Sequence, residues 1–163
     1  MKAPIAGIAP LIVASLLLAS PAPALHVNQP VEFETIAKYL ACGHAEKKNY
    51  VIANKEDWER LWEKVTSNSY PRPAAPDVDF SKQDLIAVFQ GVQPSSGYSI
   101  SVTRLVKSGK KLKVYVREVS PGDECRVLLV ITQPFEIIRT DKIEGVEKVV
   151  FKVKREVTAC QQD

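Results

Sequence analysis

The sequence predicts an α+β fold that is mainly β: an antiparallel β-sandwich or half-open barrel with one amphipathic helix packed against it. Three observations predict it. Six to eight short segments alternate apolar and polar residues or run as apolar blocks, which is strand patterning. A single stretch, Asn54 to Val65, has helical periodicity. The strand-like segments follow one another without intervening helices, as in an antiparallel sheet.

The chain opens on Lys2 and a long uncharged stretch with an apolar centre at Ile8 to Leu18. Small residues follow, ending in Ala22-Pro23-Ala24. This is the order of a secretory leader, so residues 1–24 are expected to be a signal peptide cleaved after Ala24, leaving 25–163 as one domain. The competing reading is a retained anchor, because Ala3 to Leu25 is almost long enough to span a bilayer. Pro4, Pro10, Pro21 and Pro23 argue against a continuous helix there. On either reading the domain is secreted or held in the cell envelope. No cysteine lies near the cleavage site to carry a lipid.

Val31 to Leu40 is ambiguous between strand and helix. Asn49 to Ala53 is short and β-branched, a strand. In the next segment Trp58, Leu61, Trp62 and Val65 fall at i, i+3, i+4 and i+7, one face of a helix that Asn54 caps, with Glu56 and Asp57 at its positive end. Ser67 to Pro76 is a Pro- and Ser-rich loop. Leu85 to Gln90 reads as a buried central strand. Tyr98 to Val106 and Leu112 to Arg117 alternate and are joined by a hairpin turn at Lys107-Ser108-Gly109-Lys110. Arg126 to Thr132, RVLLVIT, reads as a second buried strand. Phe135 to Arg139 is short and extended, and Glu147 to Val153 alternates again.

The net charge is +3, unevenly placed. Residues 25–92 hold 8 basic against 10 acidic side chains, and residues 93–163 hold 13 against 9. Lys111, Lys113, Lys152 and Lys154 alternate with apolar residues, as on a solvated sheet face. They lack the dense, aromatic-interleaved patch of a nucleic-acid binder.

Three cysteines permit one internal disulfide in an exported chain. Of three pairings, Cys42–Cys160 is favoured because the termini of small domains often meet. Cys125 is then free or the alternative partner. The cysteines are far apart and only His26 and His44 could join them, so neither a metal nor another cofactor is expected. His26 sits at the mature N-terminus and His44 in a polar stretch, with no nucleophile in a recognisable frame. Asp77 and Asp79 read as solvated turn residues. No catalytic residue is assigned, and no enzyme activity is expected.

The loop Gly91-Val92-Gln93-Pro94-Ser95-Ser96-Gly97-Tyr98 stands out, with glycines at both ends and an amphipathic tyrosine at its exit. Gln93, Pro94, Ser95, Ser96, Gly97 and Tyr98 are taken as a partner-binding loop. Ser120-Pro121-Gly122-Asp123-Glu124 reads as an ordinary turn.

The order Asp79-Phe80-Ser81-Lys82-Gln83-Asp84-Leu85-Ile86, Gly91, Ser96-Gly97-Tyr98-Ser99-Ile100, a Pro-Gly turn and Thr132-Gln133-Pro134-Phe135 resembles the C-terminal domain of the protease complex subunit PrcB. The upstream Glu56, Trp58, Leu61 and Trp62 also match proteins carrying that domain. The likeness runs from about Glu56 to Phe151. It implies an exported bacterial accessory protein that associates with a secreted protease complex and stabilises it. The loop departs from the family, with Gln93 for Arg and Ser95-Ser96-Gly97 for Thr-Gly-Gly, which bears on partner specificity. The same loop is similar to the N-P-T-T-G loop of chagasin-like protease inhibitors, so inhibition is the alternative function. An envelope structural role without a protease partner is a third.

Overall fold

The computed structural model describes residues 28–160; the expected leader over 1–24 lies outside them. Eight strands and one helix follow in the order β1 (Asn28–Val31), β2 (Glu34–Tyr39), β3 (Lys48–Ile52), α1 (Lys55–Val65), β4 (Gln83–Phe89), β5 (Ser99–Ser108), β6 (Lys111–Pro121), β7 (Phe135–Asp141) and β8 (Lys148–Thr158). They form two four-stranded sheets, ordered β1-β5-β6-β8 and β2-β7-β4-β3. All pairings are antiparallel except β6 with β8. The two sheets are separate, so the sandwich is the architecture rather than the half-open barrel.

Three layers result. Leu85, Ala87, Phe89, Phe135 and Ile137 of the second sheet pack under Trp58, Leu61, Trp62 and Val65 of α1. Ile86, Val88 and Ile138, on the opposite face of the same strands, pack against Ile100, Val102, Leu105, Leu112, Val114 and Val116 of the first sheet. A strand covered on both faces has no polar side, so Leu85-Ile86-Ala87-Val88-Phe89 is an unbroken apolar run. Strand β7, the short extended segment of the sequence reading, lies between β2 and β4 and is central.

The helix forms where its periodicity predicts. Asn54 accepts the Asp57 amide at 2.9 Å, and Glu56 and Asp57 lie in the first turn. Its indoles reach across to the Pro-rich loop: Trp58 Nε1 donates to Pro76 O at 3.0 Å and Trp62 Nε1 to Pro73 O at 2.9 Å. The loop is thereby fastened over the helix.

Two buried carboxylates tie the layers together. Glu136 on β7 faces the first sheet and accepts the Val102 amide beside the β5 bulge, the Thr35 hydroxyl at 3.1 Å and Lys38 Nζ at 3.1 Å. Glu118 on β6 takes Lys47 at 2.6 Å and Arg155 at 3.3 Å.

Three sequence readings change. Val31 to Leu40, ambiguous in sequence, resolves to strand, because Ala37 enters the core beneath the helix. Arg126 to Thr132 is not a buried strand: it has no regular structure and is largely exposed. The disulfide joins Cys125 to Cys160, not Cys42 to Cys160. The parallel pairing of β6 with β8 brings their C-terminal ends together, with Pro121 opposite Thr158, and so brings Cys125 to Cys160. Cys42 is free and buried under the helix.

Candidate functional site: an apolar edge braced by the 91–98 loop

The loop after β4 and the segment before β7 run side by side. Gln93 and Thr132 exchange backbone hydrogen bonds at 2.8 and 3.0 Å. Thr132 Oγ1 donates to Ser95 O at 2.9 Å. Ser96 N donates to Leu128 O at 3.0 Å, and Ser96 Oγ accepts from Leu128 N at 2.9 Å. Gln93 Nε2 donates back to Gln90 O at 3.0 Å. The loop therefore directs most of its polar groups at its neighbour. Ser95 is buried, Gln93, Ser96 and Tyr98 are half-buried, and Pro94 and Gly97 are exposed.

Glycine is required at both loop ends. Gly91 has φ 80° and would place a Cβ 2.9 Å from Lys47 N, while Gly97 has φ 90° and would place one 3.0 Å from Pro121 Cβ. Positive φ is open to glycine at no steric cost.

What the loop holds up is apolar. Leu128, Leu129, Val130 and Ile131 are 72, 93, 50 and 64% exposed. Gln133 N donates to Leu40 O at 2.9 Å, which carries the surface on to exposed Leu40 and Tyr39, and Val92 lies exposed on the loop itself. Cys125–Cys160 fixes the other end of the segment. Contiguous exposed apolar side chains of this kind mark an interaction surface. The 128–131 half of the site was missed in the sequence because five apolar residues in a row, Val127 to Ile131, read equally well as a buried strand.

His44 is fully buried, although its sequence neighbours are polar. Its ring stacks on Phe89 at 4.2 Å and Nε2 lies 2.7 Å from Tyr50 OH. Nδ1 has no hydrogen-bond partner. Burial, then the nearby Lys64 charge, hold His44 below the usual imidazole range. Burial pushes the Tyr50 phenol and the Cys42 thiol up, so neither is an activated nucleophile. Cys42 Sγ points at His44 O and Gln133 O, at 3.6 and 3.5 Å. Asp79 is an exposed turn carboxylate, held below its usual range by the Ser81 hydroxyl and amide. Among the described residues no group of three or more His, Cys, Asp or Glu side chains is placed to hold a metal ion.

No curated protein and no solved structure matches the chain. Residues 85–141 match the model of the family described as PrcB C-terminal. The matched segment runs from within β4 to the end of β7 and contains both the 91–98 loop and the 126–134 segment. The stretch that builds the site is thus similar to the PrcB C-terminal family.

Proposed function

We propose that the chain is an exported, non-enzymatic accessory domain that docks on a secreted protease complex and stabilises it, using the apolar edge at Leu128–Ile131. The observation that carries this reading is that edge, held rigid by the 91–98 loop inside the family-matched segment. Exposed aliphatic side chains with a polar, hydrogen-bonded support have the make-up of a docking surface, an apolar centre inside a polar rim. The Cys125–Cys160 disulfide fits an extracytoplasmic location. Gln93 to Tyr98 acts in this reading as the brace and rim of the surface rather than as its centre.

The test is co-purification of the full chain from the envelope and culture fluid of its own producing cells, with mass spectrometry of what is retained. A protease recovered by the native chain and lost from the Leu129→Asp/Ile131→Asp variant supports the reading. Equal recovery by both sinks it. Assaying the recovered protease with and without the chain separates the two functions: a subunit preserves activity over time, whereas an inhibitor suppresses it at once.

A further inference from the structure

The outer face of the first sheet is a cation field. Strand register places residues in rows across it: Ser108, Lys111 and Lys148; Val106, Lys113 and Val150; Arg104, Tyr115 and Lys152; Ser101, Arg117 and Lys154. Residues paired across strands share a face. This one is opposite to the face where Leu112, Val114 and Val116 enter the core. Seven cations stand on it. The carboxylate on the same face, Glu156, takes Arg117 at 2.6 Å and Lys154 at 2.9 Å. Arg104 lies over the Tyr115 ring at 4.2 Å. Lys111, Lys113, Lys148 and Lys152 form no ion pair among the described residues.

We propose that this face docks peripherally on an anionic phospholipid surface. Four rows along β6 span roughly 20 Å, a broad flat footprint rather than a groove. Val106, Val150 and Tyr115 give the lysines an apolar floor on which their stems can lie while the ammonium groups reach outward. A polyanionic strand would want interleaved aromatics, and Tyr115 is alone among these rows. Charge supplies the second argument. Lys111, Lys113, Lys148 and Lys152 stand on one face without an ion pair among the described residues, and clustered basic side chains attract anionic headgroups. This surface is separate from the apolar edge, so the failure of either proposal leaves the other standing.

The experiment uses the full chain with vesicles of phosphatidylcholine, alone or containing phosphatidylglycerol. Sedimentation reads the preference for the anionic vesicles. Combined Lys111→Gln, Lys113→Gln, Lys148→Gln and Lys152→Gln should lower that preference by about 1000-fold. Rising salt should erase it in the native chain. Amine acetylation read by mass spectrometry gives a measure that needs no variant. Phosphatidylglycerol vesicles should protect Lys111, Lys113, Lys148 and Lys152 but not Lys55 or Lys82, and phosphatidylcholine vesicles should protect none of them. Equal sedimentation with both vesicle types, protection spread evenly over all six lysines, or protection by soluble heparin but not by anionic vesicles would each overturn the proposal.

Discussion

Glu136 shows how much one side chain can join. It lies on the central strand of one sheet, yet it accepts the backbone amide of Val102 in the other, where the bulge at Thr103 interrupts the ladder. Glu136→Ala would leave that buried amide without an acceptor, and roughly 2–3 kcal/mol of stability should be lost in urea unfolding. Lys38→Met removes only the half-exposed partner of the same carboxylate and should cost under about 1 kcal/mol. Equal losses for the two variants would mean that the ion pair, not the amide, matters.

His44 makes stability depend on pH. Its folded-state pKa lies below the ordinary 6.5, so the unfolded chain binds the proton more readily. The contribution is fully present above about pH 6.5 and is lost as pH falls toward the depressed folded value. Urea unfolding of the native chain should therefore show stability dropping between neutral and mildly acid pH. His44→Phe, which retains stacking on Phe89, should flatten that part of the profile; an unchanged slope would assign the dependence elsewhere.

At the scale of elements, the helix and its loop behave as one unit because two indole N–H groups hold two proline carbonyls. Trp58→Phe keeps most of the buried ring but leaves Pro76 O without its donor. A loss of about 1–2 kcal/mol is expected, with faster proteolysis within Ser67–Pro76. The disulfide acts on a different element. Closing a loop with a sequence separation of 35, it stabilises by roughly 3–4 kcal/mol in the chain-entropy model. Because Cys125 borders the exposed segment, reduction should expose Arg126–Val130 to proteolysis before the core opens. Cleavage appearing first in α1 or β4 would contradict this.

At the scale of the whole molecule, three layers leave two surfaces of opposite character, an apolar edge and a cationic sheet face. Leu129→Asp should leave the unfolding midpoint almost unchanged, since a side chain 93% exposed contributes little burial. A large drop in stability would show that the edge is structural. Glycine matters at this scale because it sets where the edge lies: Gly91→Ala would press a methyl group on the Lys47 backbone and shift the brace.

The sequence alone determined the local elements. Helical spacing of Trp58, Leu61, Trp62 and Val65, alternation along β5 and β6, and the glycine-bounded loop are properties of neighbouring residues, and period and turn chemistry read them directly. Only tertiary structure decided which apolar runs are covered. Leu85–Phe89 and Leu128–Ile131 look alike in a linear chain. The first is sealed by a helix on one side and a sheet on the other, while the second is left outside by hydrogen bonds to Ser95 and Ser96. Disulfide choice and the burial of His44 and Glu136 were likewise invisible, because each depends on which distant strands meet. Sequence spacing cannot encode that meeting; packing of the layers does.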